Sequence, residues 1–158
     1  MSSEPSLRLA RTTLPALLST PAAARSFLRR TLAAWGLDPH RDTAELVMSE
    51  LVTNAVKATP HPAPPHADLR DAPLVTVELR ATAHVLRICV EDTAPGHPTL
   101  RTAPTDAETG RGLFLVAALS TRWNTTPTPT GGKSTWAELA LAGSEHAGPL
   151  PGSAVPRG

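Results

Sequence analysis

The stretch Leu74-Val75-Thr76-Val77-Glu78-Leu79-Arg80 alternates apolar and polar side chains, and His84-Val85-Leu86-Arg87-Ile88-Cys89-Val90-Glu91 repeats the pattern. Alternation with a period of two is the mark of a strand with one face buried. Only a few residues separate the two runs, so the spacing predicts an antiparallel hairpin. A sheet is thereby placed at the middle of the chain, and the flanking segments are read outward from it.

Toward the N-terminus, Asp38-Pro39 combines a capping side chain with a proline suited to the first helical position. It predicts a helix running to about Thr59, with Leu46, Val47, Leu51, Ala55 and Ala58 facing a core. Thr20-Pro21 repeats the same signal. In the helix that follows, Phe27, Leu28, Leu32 and Trp35 form one apolar stripe, and Gly36 marks the stop. Before it, Leu7 and Leu9 alternate with polar residues as a first strand does. Residues 60–73 form a long loop rich in Pro and His. Its His61 and His66 have no matching ligand set and read as solvated loop residues.

Toward the C-terminus, residues 93–109 carry turn formers and few large apolar groups, and read as a loop. Gly110-Arg111-Gly112 then opens a third helix through Leu113, Phe114, Val116, Ala117 and Leu119. A short strand at residues 123–126 and an alternating strand from Ser134 to Leu141 complete the order. The order strand, helix, helix, two strands, helix, two strands predicts an α+β fold: a two-layer sandwich with a mixed, mostly antiparallel sheet and helices packed on one face. The domain is expected over residues 1–142, with a disordered Pro- and Gly-rich tail at 143–158.

Composition narrows the function classes. At 158 residues the chain has the length of one domain. With two Phe, three Trp and no Tyr, aliphatic side chains must build most of the core. A formal net charge of +1 lacks the strongly basic footprint of a nucleic-acid binder, so no direct nucleic-acid binding is expected. The single Cys89 cannot form an internal disulfide and reads as a buried thiol in a reducing cytoplasm. The N-terminus has no charged segment followed by an apolar one, so no signal peptide is read, and no run approaches the ~20 apolar residues of a membrane span. A cytoplasmic location is the expectation, and the sequon at Asn124-Thr125-Thr126 is discounted accordingly.

Three clusters carry chemistry. In Glu50-Leu51-Val52-Thr53-Asn54-Ala55-Val56-Lys57, Glu50 and Asn54 are four apart on a helix and share a face. Taken alone, the pair also fits a solvated polar face. In Glu91-Asp92-Thr93-Ala94-Pro95-Gly96, Asp92 ends a strand, where a carboxylate can accept a hydrogen bond from a base amino group, and Gly96 lets backbone approach a ligand. A strand-ending Asp in a turn is also common. In Thr109-Gly110-Arg111-Gly112-Leu113, two glycines stand at a helix entry, where free amides attract phosphate. Gly131-Gly132-Lys133-Ser134 imitates the end of a P-loop, but Pro127 stands where the earlier glycine is needed and a strand follows instead of a helix. It reads as a hairpin turn.

In this order and spacing the three clusters resemble the N, G1 and G2 boxes of the histidine-kinase-like (Bergerat, GHKL) ATPases. The wording from Glu50 to Lys57 and from Thr109 to Val116 is most similar to the anti-sigma-factor serine kinases, over roughly Ser6 to Leu141. The resemblance implies the Bergerat ATP-binding fold, ATP as ligand and Mg2+ as its metal. It implies that Asn54 binds the magnesium and that Glu50 is the general base. It implies that Asp92 holds the adenine amino group, Gly96 shapes the base pocket, and Gly110, Arg111 and Gly112 lie at the phosphates beneath a lid of residues 93–109. Thr135 matches a position that supports adenine through a water. The chain departs from the family at Ala94, where the adenine box has glycine, and in the prolines Pro95, Pro98 and Pro104 of the lid.

The partners implied are an anti-anti-sigma factor, whose serine would be phosphorylated, and a sigma factor released in the switch; a homodimer is also expected, since kinases of this branch are often dimers. Two other readings stay open. One is a non-catalytic nucleotide-binding module that sequesters a regulatory partner. The other is a detached histidine-kinase catalytic domain.

Overall fold

The computed structural model describes residues 6–59, 72–92 and 107–142, and of residues 107–111 the backbone alone. Gly96, Ala94, the three lid prolines, His61, His66 and the 143–158 tail lie outside the described residues. The elements are β1 (Arg8–Pro15), α1 (Thr20–Trp35), α2 (Arg41–Ala58), β2 (Leu74–Ala81), β3 (Val85–Asp92), α3 (Ala107–Leu119), β4 (Arg122–Pro127) and β5 (Lys133–Ala140), with a 3-10 turn at Asp38–His40 before α2.

The two alternating runs become β2 and β3, paired antiparallel with Val77 opposite Val90 and Leu79 opposite Ile88. The other strands extend the sheet on both sides in the order β1-β2-β3-β5-β4, and all four pairings are antiparallel. Because side chains alternate across a strand, one register places Val75, Val77, Leu79, Leu86, Ile88, Val90, Ala137 and Leu139 on a single buried face. Leu28 and Leu32 of α1, Val47, Met48, Leu51 and Val52 of α2, and Val116 of α3 close over that face. Each fully buried aliphatic side chain contributes roughly 1.5–3 kcal/mol of transfer free energy. The result is the two-layer α+β sandwich.

The other face of the sheet is polar. Arg11 and Arg80 both pair with Glu78, and Arg87 and Arg122 share Glu138. The Arg87 guanidinium lies 4.1 Å from the centre of the Trp136 ring. These pairs, cross-strand except for Arg80 with Glu78 within β2, occupy the side without helices, which explains why the strands alternate instead of being apolar throughout.

Several expectations are adjusted by tertiary contacts. Thr20 does not cap α1; Ser19 holds that position, and neither supplies a side-chain cap. Instead the buried Thr20 hydroxyl donates to the Pro15 carbonyl and accepts from the Leu17 amide, which pins the turn between β1 and α1. Gly36 does end α1, with φ 70°, a left-handed conformation that glycine adopts without a Cβ penalty. Asp38-Pro39 starts a 3-10 turn, and α2 itself begins at Arg41. Leu46 is 50% exposed, because Ala44, Val47, Met48, Leu51, Val52, Ala55 and Val56 define the core stripe of α2 and Leu46 falls outside its arc. Leu7 and Leu9 are exposed as well: pairing of Leu14 with buried Val75 puts the even-numbered residues of β1 inward. The third helix begins at Ala107, not at Gly110. Ala107 and Glu108 have high helix propensity, and packing against α2 offsets the roughly 1 kcal/mol that each interior glycine costs.

Candidate functional site

The candidate residues stand on α2, α3, β3 and β5, and α2 packs against each of the other three elements. Glu50 and Asn54 stand one turn apart on α2, between the residues that anchor it in the core. Their neighbour on α3 is Gly112, which is buried. A Cβ placed on Gly112 would run into the Glu50 carboxylate oxygen Oε2, with Glu50 Cδ at 3.5 Å and Asn54 Nδ2 at 3.8 Å. The sequence-predicted Glu50, Asn54 and Gly112 are therefore brought into one cluster by α2–α3 packing.

Asn54 is only partly buried as a residue, but its Nδ2 atom is shut from solvent and has no hydrogen-bond partner among the described residues. A buried, unmet amide donor costs of order 1–3 kcal/mol. An incoming anionic oxygen would satisfy it. The amide oxygen of the same side chain belongs to the oxygen class that magnesium prefers. The residues present thus fit a magnesium–phosphate group: a carboxylate and an amide side by side, one of them with unmet hydrogen-bonding capacity.

Asp92 closes β3 and is 6% exposed, on the same sheet face as the helices. The turn that follows β4 abuts it. A Cβ on Gly132 would overlap the Asp92 carbonyl oxygen and lie 3.0 Å from its carbonyl carbon. Thr135 sits opposite Val90 on β5, which makes it the diagonal neighbour of Asp92 on the helix-covered face. Its hydroxyl is 3.1 Å from that of Thr125 on β4. The helix α2 packs across β3 and β5, the two strands that carry Asp92 and Thr135.

Gly110 and Arg111 fall in the first turn and a half of α3. With α3 starting at Ala107, the amides that lack an intrahelical acceptor end before Gly110, so Gly110 and the deeper Gly112 lie within the helix and are not the free amides expected at its entry. The Gly131-Gly132 pair forms the β4–β5 hairpin turn, with the Thr128 amide donating to the Gly132 carbonyl at 2.9 Å and Gly131 at φ 91°. This bears out the hairpin over a P-loop. The contact of Gly132 with Asp92 was not legible beforehand. The doubled glycine at residues 131–132 was its only trace, and a turn accounts for that equally well.

Residues 14–137 match the family defined by the histidine kinase-like ATPase domain, a span that includes every one of these side chains. No curated protein matches the chain. Among the described residues no helix is long and apolar enough to cross a membrane.

Proposed function

The chain belongs to the histidine kinase-like ATPase family, which implies ATP as its ligand, and from that premise we infer that it is an ATP-dependent serine kinase of the anti-sigma-factor type. The observation that carries this reading is the seat of Glu50 beside Asn54 and against Gly112 of α3. A nucleotide-binding site needs the amide; a carboxylate one turn before it adds a base.

In the reaction, the partner's serine hydroxyl approaches the γ-phosphorus in line with the leaving oxygen. Glu50 accepts the hydroxyl proton as the new O–P bond forms, and the bond to the β-phosphate oxygen breaks with its electron pair leaving on ADP. Asn54 would hold the magnesium, whose chemistry is to neutralise phosphate charge. Asp92 orients the base by accepting from the adenine amino group, and Thr135 supports the same ring. The serine belongs to an anti-anti-sigma protein, and phosphorylation breaks its hold on the kinase, which then rebinds a sigma factor.

A second reading, a nucleotide-binding module that sequesters a partner without transfer, is favoured by one feature: Ala94 replaces the glycine of the adenine box. Calorimetric titration with ATP, with and without magnesium, tests the shared premise; Asn54→Ala should abolish magnesium-dependent binding. Glu50→Gln separates the two readings. A kinase loses transfer to serine and retains ATP, whereas a binding module is unchanged in both. An acid-labile phosphoprotein product would instead place the acceptor on histidine.

A further inference from the structure

Asp92 owes its place to more than its own strand. It is the last residue of β3, and its main-chain carbonyl is packed against the α-carbon of Gly132 so closely that no side chain fits between them. The turn that presents Gly132 is tied by its own hydrogen bonds. The Thr128 amide donates to the Gly132 carbonyl at 2.9 Å, the Gly131 amide donates to the Thr128 carbonyl at 3.1 Å, and the Thr128 and Thr130 hydroxyls lie 3.1 Å apart. Thr128 Oγ1 would lie 3.4 Å from a Cβ on residue 132, so that side of the turn is occupied as well.

We propose that Gly132 is the positioning residue for Asp92: by lacking a Cβ it lets the β4–β5 turn close on the end of β3, and this contact sets where the Asp92 carboxylate stands and hence the choice of purine. The inference rests on the reading of Asp92 as the acceptor for the adenine amino group. It adds the means by which that acceptor is held. The chemistry makes a sharp distinction available. Adenine offers an amino donor where guanine offers a carbonyl acceptor. A carboxylate fixed opposite that position attracts the first and repels the second, whereas a carboxylate free to shift discriminates less. The obstruction at Gly132 is backbone, not the end of a flexible side chain, so an added methyl cannot be absorbed by a rotamer change.

The test compares ATP and GTP affinities by calorimetry for the full chain, Gly132→Ala, Asp92→Asn, and a chain with one glycine inserted between Thr130 and Gly131. The insertion loosens the turn without crowding it, and insertions at an exposed turn tip are generally tolerated. It therefore keeps the test open if Gly132→Ala does not fold. The expected result is that Gly132→Ala and the insertion each lower the ATP-over-GTP ratio by about tenfold, the scale of one well-made hydrogen bond to a charged group. Magnesium dependence through Asn54 should persist in both. A folded variant of either kind that keeps the wild-type ratio overturns the proposal. If Asp92→Asn leaves ATP affinity unchanged, the adenine role of Asp92 falls and the proposal falls with it. If Asp92→Asn loses ATP while both turn variants keep the ratio, the adenine role stands and the Gly132 inference alone is wrong.

Discussion

The carboxylate of Glu50 occupies the space that a side chain on residue 112 would need, so α2 and α3 meet at a glycine facing an acid. Glycine at this point leaves room for the acid. The obstructing atom is the tip of a flexible side chain, so a methyl at residue 112 would displace the carboxylate and leave the helices where they are. Gly112→Ala is expected to fold with a near-normal thermal midpoint and to lower the rate of phosphoryl transfer on the order of 100-fold, as misplacement of a reacting group by about 1 Å does. In a Glu50→Ala background the same change should have no further effect on transfer. A double-mutant cycle on transfer rates checks this, and additive losses would show that the two residues act independently.

Leu51 and Leu46 separate the true core face of α2 from the expected one. Leu51 is 1% exposed and Leu46 is 50% exposed. Leu51→Ala should cost about 2–5 kcal/mol, whereas Leu46→Ala should change stability by no more than about 0.5 kcal/mol. Urea denaturation of the two variants measures both, and equal costs would contradict the observed packing.

Glu45 gives the acid limb of stability a definite source. The hydrogen bond from Arg29 holds its carboxyl below the ordinary value; partial burial works against this, and the charges of Arg29, Arg41 and Arg25 reinforce it. A carboxyl lowered in the folded state stabilises fully above its unfolded pKa of about 4.3, and that contribution is lost as the pH falls through the lower folded value. The stability gap between wild type and Glu45→Gln should therefore be constant near neutrality and close as the pH drops below about 4.3. Denaturation midpoints from pH 7 to pH 3 read it directly. High salt should narrow the gap at neutral pH, because the Arg29 side is exposed.

Cys89 should be a slow nucleophile. Burial pushes its thiol up, the nearby Glu78 and Glu91 add to the shift, and the hydrogen bond with Ser134 and the charge of Arg87 oppose it. The thiolate is the reactive form. Alkylation by iodoacetamide at pH 8 should be slower in the folded protein than in the same chain in urea, with the difference shrinking as the pH is raised. Equal rates at pH 8 would mean that the strand is open at this position.

The strands were legible because period-two alternation is a local signal, and β2 and β3 fall within a residue of the runs that predicted them. The pairing of Glu50 with Asn54 was legible for the same reason, since four residues make about one helical turn. The facing of β1 was not. Leu7 and Leu9 are the conspicuous apolar residues at and just before its start, yet Leu14 sets the register by pairing with Val75, and the two leucines are exposed. A one-residue change of phase reverses every side chain of a strand, and the partner strand, not the strand itself, decides the phase.

Sequence alone determined the elements, their order, the α+β class and the helix that carries Glu50 and Asn54, because these follow from periodicities and caps that act over a few residues. Only the tertiary structure decided which glycine faces which acid. Gly112 lies 62 positions from Glu50, and Gly132 lies 40 from Asp92, differences of residue number alone. Contacts at such separations depend on how whole helices and turns pack. A missing side chain leaves no pattern in the sequence; its purpose is visible only from the atom that fills its place.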